Sequence, residues 1–369
     1  MGQSGMAAAR LTLAPLRDPD ALAQEWRALE ARAAASFFRS WTWVGCRAAE
    51  RFPDPWLLRA ERGGHTAGLA LLNRRHGRLW LGESGDAALD AVFVEHNGVL
   101  LAREAADLLA PCLAALLAGR RPVRLAGVDA AHLAAARQAG TVRVRRESLA
   151  PYVDLAALGP APGAWQAGLS ANTRQQLARS RRSLGPVTLT RAADVAEAWA
   201  FLDALAALHQ ATWTARGRPG AFADPAFRRF HRDLLARAVP RGEAELLRID
   251  GAHGPIGYLY NFRDRQRVLA YQSGFDYGRG GRAAKPGLTC HEAAIAQARA
   301  EGALAYDFLA GADRYKTSLA NAATPLYWLD AAASASAAGI GLRLRALAST
   351  LRNRASWPRL TSAQPNRSA

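Results

Sequence analysis

Apolar and polar positions follow two rhythms along this chain. In the C-terminal half a short alternating run, Val187 to Thr190, gives way to a stripe at helical spacing, Leu202, Leu205, His209 and Trp213, which predicts a helix from Asp194 to about Trp213. After the turn Arg216 to Gly220, Asp224 stands where an N-cap belongs and Pro225 at a first helical position, with Phe227, Phe230, Leu234 and Leu235 as the buried face. Period-two runs at Glu245 to Ile249, Ile256 to Phe262 and Arg267 to Phe275, joined by Asp250-Gly251 and Arg263-Asp264, predict an antiparallel meander. A glycine-rich loop, Tyr277 to Gly287, opens a helix from Leu288 to Ala300 that Gly302 ends. A strand Ala303 to Leu309, a helical segment Arg314 to Leu319 and a strand Pro325 to Leu329 complete the half. A strand, loop, helix and strand in that order need a crossover.

The N-terminal half repeats the order with little residue identity. A strand at Arg10 to Leu13 precedes helices Ala21 to Ala34 and Trp41 to Arg51, then strands Trp56 to Ala60, Ala67 to Leu72 and Arg78 to Leu81. A poorly patterned stretch, Gly82 to Asp86 and on through Glu95 to Gly98, leads to a helix Glu104 to Leu117. A strand Pro122 to Leu125, a helix Ala131 to Gln138 and a strand Val142 to Val153 follow. The repeat predicts a tandem α/β protein: two domains at residues 10–155 and 165–331, each a mixed, largely antiparallel sheet flanked by helices, then a tail at 332–369. The tail carries several arginines and no acid, which predicts a short basic amphipathic helix, a candidate for peripheral membrane contact, followed by a disordered end.

Length and composition agree with two globular domains: 369 residues, half of them apolar. The net charge of +17 would point to nucleic acid if it were clustered, but the arginines are scattered, so a nucleic-acid partner is not indicated. Cys46, Cys112 and Cys290 lie far apart, which argues against a disulfide framework and against a metal site. No secretion signal opens the chain and no stretch is apolar for the ~20 residues a membrane span needs, so a cytoplasmic location is expected.

Only two of the 48 basic residues are lysine, Lys285 and Lys316, and both fall in the C-terminal half near the candidate chemistry. Lys285-Pro286-Gly287-Leu288 stands before a helix, where the amides of Gly287, Leu288 and Thr289 could donate to a diphosphate and Lys285 add a full charge. On the preceding strand Tyr271, Gln272 and Ser273 either line a ligand arm or form a half-buried strand. His209, His231, Asp307 and Tyr315 are candidates for moving a proton. His209 and His231 also continue apolar helical stripes and so read equally as core histidines. Asp307 interrupts an apolar strand near its C-terminal end, where ligands gather, and needs a partner such as Lys316 or an arginine.

Element order and these residues together resemble the GNAT superfamily, and within it the CelD-like acetyltransferases. The resemblance rests on Leu208-His209, Trp213, Arg216-Gly217, Pro219 to Phe222, Phe230-His231, Tyr271 to Phe275, Lys285 to Leu288, Tyr306 to Leu309, Gly311 and Tyr315-Lys316. It covers about Ser170 to Asp330. The N-terminal half is similar only in architecture, as in the tandem FemAB relatives that transfer amino acids from aminoacyl-tRNA. The resemblance implies acetyl-CoA or another acyl-CoA as donor and a role in polysaccharide or cell-envelope biosynthesis, and it names no acceptor; an amine on a small molecule or saccharide is the expected partner. The residues themselves make Asp307, Lys316, His209 and Tyr315 the catalytic candidates. A FemAB-like transfer from tRNA and a non-catalytic scaffold are the alternatives. The N-terminal half has no counterpart of Lys285-Pro286-Gly287, so one coenzyme site is expected.

Overall fold

The computed structural model describes residues 8–355, apart from 91, 162 and 312. The N-terminal half runs β1 (Arg10–Pro15), α1 (Pro19–Arg32), α2 (Trp41–Arg51), β2 (Pro55–Arg62), β3 (His65–Arg75), β4 (Arg78–Leu81), β5 (Leu100–Leu101), α3 (Leu109–Ala118), β6 (Val123–Val128), α4 (Ala130–Ala139) and β7 (Thr141–Asp154). The C-terminal half opens with α5 (Ala164–Gly168), α6 (Ala171–Leu184), β8 (Thr188–Arg191), α7 (Val195–Ala215) and α8 (Pro225–Ala238). It continues with β9 (Ala244–Gly251), β10 (Gly254–Asp264), β11 (Arg267–Phe275), α9 (Pro286–Ala300), β12 (Ala305–Asp307), α10 (Arg314–Leu319) and β13 (Ala322–Ala332), and α11 (Ala337–Ala355) follows. The mixed α/β class and the repeated order are as expected.

Local chemistry accounts for most boundaries. Asp194 caps α7 by accepting the Glu197 N–H, and Asp224 caps α8 from the Ala226 N–H with Pro225 in the first turn. Three boundaries differ from expectation. The helix predicted from Glu104 starts as an α-helix only at Leu109, after 3-10 turns over Arg103–Leu108. Pro111 lacks an N–H and its ring would collide with the carbonyl of Asp107, so a continuous helix through both cannot form. The strand predicted over Ala303 to Leu309 is only β12, because Leu309 turns into the left-handed region (φ 61°) while its N–H is bound by Asp307 Oδ1 at 2.7 Å. The basic tail helix is longer than expected, and the end predicted to be disordered lies outside the described residues.

Among the described residues thirteen strands form one sheet, in the order β1-β2-β3-β4-β6-β13-β7-β12-β11-β10-β9-β8, with β5 beside β3. The halves exchange their last strands. β7 pairs with β12 of the C-terminal half, β13 pairs with β6 of the N-terminal half, and the two lie antiparallel from Ala322↔Tyr152 to Ala332↔Thr141. Three cores result. One belongs to the N-terminal half, around Trp26, Leu58, Leu69 and Leu116. Another joins the faces of α7 and α8 to Phe37, Phe38, Trp43, Val92 and Val94 of the N-terminal half. The third packs α6 and α9 against β9 to β12. Phe37 stacks on Phe262 with ring centroids 4.1 Å apart, a contact between the halves of about 0.5–1.5 kcal/mol beyond its buried area. Such burial fixes the N-terminal loop around Val92 to Val94 against α7, next to the site described below.

Candidate active site

Beside β12 the sheet opens. β11 and β12 run parallel and pair only over Arg267↔Ala305, Val268↔Tyr306 and Leu269↔Asp307. Beyond that point β11 continues to Phe275, still held on its far edge by β10 through Tyr260↔Gln272, Leu259↔Ser273 and Tyr258↔Gly274. The other chain turns away at Leu309. A cavity of about 650 Å³ fills the gap, with Ala270 to Phe275 on one wall and Phe308 to Ala310 on the other. The near edge of β11 therefore offers strand N–H and C=O groups to the cavity instead of to a neighbouring strand, the arrangement in which an extended ligand can take a strand's place.

Helices close the two faces. α7 contributes His209, Thr212 and Trp213, while α9 and α10 contribute His291, Tyr315 and Lys316. His209 Nδ1 lies 3.2 Å from the carbonyl oxygen of Ser273. A carbonyl can only accept, so Nδ1 carries the proton and Nε2 keeps its lone pair. Nε2 is buried without a hydrogen-bond partner on a residue that lines the cavity, and burial holds the imidazole below its ordinary pKa, so it is neutral near pH 7. His231 is different: fully buried, with Tyr260 Oη 3.3 Å and Tyr271 Oη 3.4 Å from its ring nitrogens, it is a core histidine. Tyr271 also lines the cavity, but its hydroxyl is spent on His231. Gln272 and Ser273 line the wall.

Lys316 Nζ donates to the carbonyls of Leu309 (3.3 Å) and Ala310 (2.9 Å), and burial lowers its pKa, offset in part by Glu95. Tyr315 stacks on His291 at 5.4 Å and 14°, and burial pushes its hydroxyl pKa up. Asp307 has no exposed surface and does not line the cavity; it stands behind the wall. Its Oδ1 fixes the Leu309 turn, and its Oδ2 lies 3.0 Å from His96 Nε2 and 3.5 Å from Arg267 Nε. Its partners are thus a histidine of the other half and Arg267, while Lys316 is turned to backbone carbonyls.

Of the loop before α9, Tyr277 lines the cavity, while Lys285 to Thr289 lie next to its wall. A Cβ added to Gly287 would stand 3.1 Å from the Phe275 ring, so the helix start abuts a residue that does line the cavity. Gly287 and Leu288 are the N–H groups left free in the first turn, since Pro286 has none. Thr289 is a correction: its N–H goes to the Lys285 carbonyl at 3.1 Å, so it has no free amide to offer, and its hydroxyl shares a hydrogen bond with Ser180 Oγ at 2.7 Å. Lys285 is exposed, and its own N–H is held by Ser180 Oγ at 2.8 Å.

Sequence reasoning missed the share of the N-terminal half. Phe93, Glu95 and Arg146 line the same cavity. Glu95 accepts the Ala310 N–H, and burial raises its carboxyl pKa. The signal available was a run of polar residues, Glu95-His96-Asn97, inside a segment without strand or helix rhythm. Asn97 does something else again. β4 and β6 form the corresponding parallel seam of the N-terminal half, Leu79↔Val123 to Leu81↔Leu125, and Asn97 Nδ2 bridges its end by donating to the carbonyls of Leu81 (3.3 Å) and Ala126 (3.1 Å). A Cβ on Gly82 would meet that nitrogen at 2.2 Å.

Comparison with known proteins agrees with this geometry. Residues 170–317 match the family model described as "Acetyltransferase (GNAT) domain". No curated protein matches the chain in sequence. Among solved structures, FemX is similar with a TM-score of 0.57 at 10% identity, covering 83% of this chain and 95% of that one. A C-terminal domain assigned to a lysylphosphatidylglycerol synthetase of Agrobacterium fabrum is similar with a TM-score of 0.56 at 13% identity, covering 90% and 96%. A protein of unknown function from Bacteroides thetaiotaomicron gives 0.50 at 10% identity, covering 84% and 97%. The chain therefore shares the fold of these proteins over most of its length, and residues 170–317 are similar to acetyltransferase domains of the GNAT type.

Proposed function

We propose that the chain transfers an acyl group from acyl-CoA, acetyl-CoA being the first candidate, to an amine. The observation that carries this reading is the opened seam: an unpaired β11 edge facing a neutral His209 whose Nε2 lone pair has no partner among the described residues. The edge would hold the extended arm of the coenzyme as a further strand, with Gln272 and Ser273 on its wall. Free N–H groups of Gly287 and Leu288, with Lys285, would meet the diphosphate. A bound thioester supplies the activated acyl carbon. His209 accepts the proton released as the amine nitrogen bonds to that carbon; the C–S bond breaks, and the sulfur leaves as a thiolate that takes up a proton. Tyr315, on the opposite face, is a candidate to supply that proton, since burial keeps its hydroxyl protonated. Lys316 holds the Leu309–Ala310 carbonyls and Asp307 the turn beneath them, so both shape the wall.

The bridged N-terminal seam leaves this as the single coenzyme site of the reading. Resemblance to the CelD-like group makes polysaccharide or cell-envelope amines the natural acceptors to try. Isothermal titration with acetyl-CoA, followed by thiol release over an amine panel, is the test. Absence of binding at millimolar acetyl-CoA would remove the proposal. Transfer from aminoacyl-tRNA is the second reading, on the tandem fold together with the +17 charge, and tRNA binding that outcompetes other RNA at physiological salt would favour it.

A further inference from the structure

Opposite charges face the cavity without meeting each other. Glu95 is 4% exposed and lines the cavity, accepts the Ala310 N–H, and has no cation in ion-pair contact among the described residues. Arg146 and Arg314 line the same cavity, and neither has a carboxylate partner among the described residues. The Arg146 guanidinium lies over the Trp328 ring, 4.3 Å from its centroid, which orients it but does not neutralise it. Lys316, the cation nearest in effect to Glu95, is occupied by two backbone carbonyls. Asp313 is the other acid on the wall and is exposed.

A carboxylate removed from water costs several kcal/mol unless it is paired, and a nearby arginine is the usual remedy. Here arginines of the same wall are not used for it. An arrangement that leaves an acid and two guanidiniums separately unpaired around one open space is complementary to a ligand carrying both charges.

Resting on the reading of the site as an acyl-CoA N-acyltransferase, we propose that the acceptor is a primary amine that also bears an anionic group. Its amino end is held by Glu95 and its carboxylate or phosphate by Arg146 and Arg314. The N-terminal half then supplies recognition at both ends of the acceptor, through Glu95 and Arg146. Phosphate and carboxylate share this chemistry, and a planar guanidinium suits either in bidentate contact.

Thiol release from acetyl-CoA is measured with matched amines: ethanolamine, β-alanine and O-phosphoethanolamine, and glucosamine beside glucosamine 6-phosphate. The anionic members are expected to exceed their neutral partners about tenfold or more in kcat/KM, the size of one charge-assisted contact. Whichever of β-alanine and O-phosphoethanolamine is faster identifies the anion. Arg146→Ala and Arg314→Ala should each cut that advantage about tenfold, and Glu95→Gln should lower kcat/KM for every amine. Equal use of neutral and anionic amines overturns the proposal, as does thiol release from none of them. So does an acetyl-CoA Kd raised tenfold by Arg146→Ala, which would assign that arginine to the coenzyme's phosphates. Acetyl-CoA titration of the wild type separates the two levels: binding with no preference among amines removes only this inference, and no binding removes the donor reading as well.

Discussion

The two parallel seams of the sheet, β4 with β6 and β11 with β12, begin alike and end differently. Each pairs over three residues, and each belongs to a strand-crossover-strand unit in which a helix packs beside the sheet. In the N-terminal half β4 stops at Leu81, and Asn97 then spans the gap with two hydrogen bonds to carbonyls. In the C-terminal half β11 runs six residues past its last pair with β12, and among the described residues no side chain bridges the gap by hydrogen bonds to both sides. What differs is therefore whether one side chain ties the two sides together: at the open seam the Ser273 carbonyl is held by His209 and those of Leu309 and Ala310 by Lys316, each on its own side. One connection does both jobs, since the loop that places Asn97 in the closed seam also turns Glu95 and His96 toward the open one. The N-terminal half, its own seam bridged, thus helps to build the wall of the open one.

The comparison can be broken at several points. The largest effect is expected at the open seam: His209→Gln should lower kcat by about 10²–10⁴ while leaving acetyl-CoA affinity within a few-fold. In the wild type the acidic limb of kcat/KM should lie below pH 6.5, because burial lowers the pKa of His209; a limb above that pH would reject His209 as the base. Next comes the contact between the seams. Asp307→Ala leaves His96 and Arg267 without their buried acid and should cost about 3–5 kcal/mol in denaturant unfolding. Asp307→Asn should keep the fold and lose turnover. Full activity in the Asn variant would make Asp307 purely structural.

At the closed seam, Asn97→Ala strips donors from two carbonyls and should cost about 1–3 kcal/mol, read as a fall in Tm. An unchanged Tm would show that the seam closes without its bridge. A pH effect of similar size belongs to His291, which burial depresses to about 3 from an ordinary value of 6.5. Between those values the unfolded chain binds a proton that the folded chain does not. Stability is therefore fully present above pH 6.5 and falls as the pH drops toward 3, by about 2 kcal/mol between pH 6.5 and 5. His291→Gln should flatten that part of the unfolding profile. The smallest effect is expected outside the cavity: exposed Lys285→Ala should weaken acetyl-CoA roughly fivefold, and no change would remove it from the diphosphate cradle.

Residues with local consequences were legible before the fold was known. Asp194 and Asp224 announce helix starts because a cap needs only its own next few residues. The meander Glu245 to Phe275 announces itself by alternation, and His209 by its place in a helical stripe beside the strand run Tyr271 to Phe275. Pro111 held a readable warning against the long helix predicted from Glu104, one that periodicity alone overrode. Glu95 was legible only as a polar residue in an unpatterned loop, since its partner Ala310 lies 215 residues away.

Element order and the repeat were thus determined by the sequence by itself, because period, capping and turn chemistry act over a few residues. The exchange of β7 and β13, the bridging of one seam and the opening of the other, and the gathering of Glu95, Arg146, His209 and Lys316 around one cavity were decided only in the tertiary structure. Each depends on which distant strand edge a segment finds and which polar groups are left unpaired once it has. Those are properties of the packed chain, not of any stretch within it.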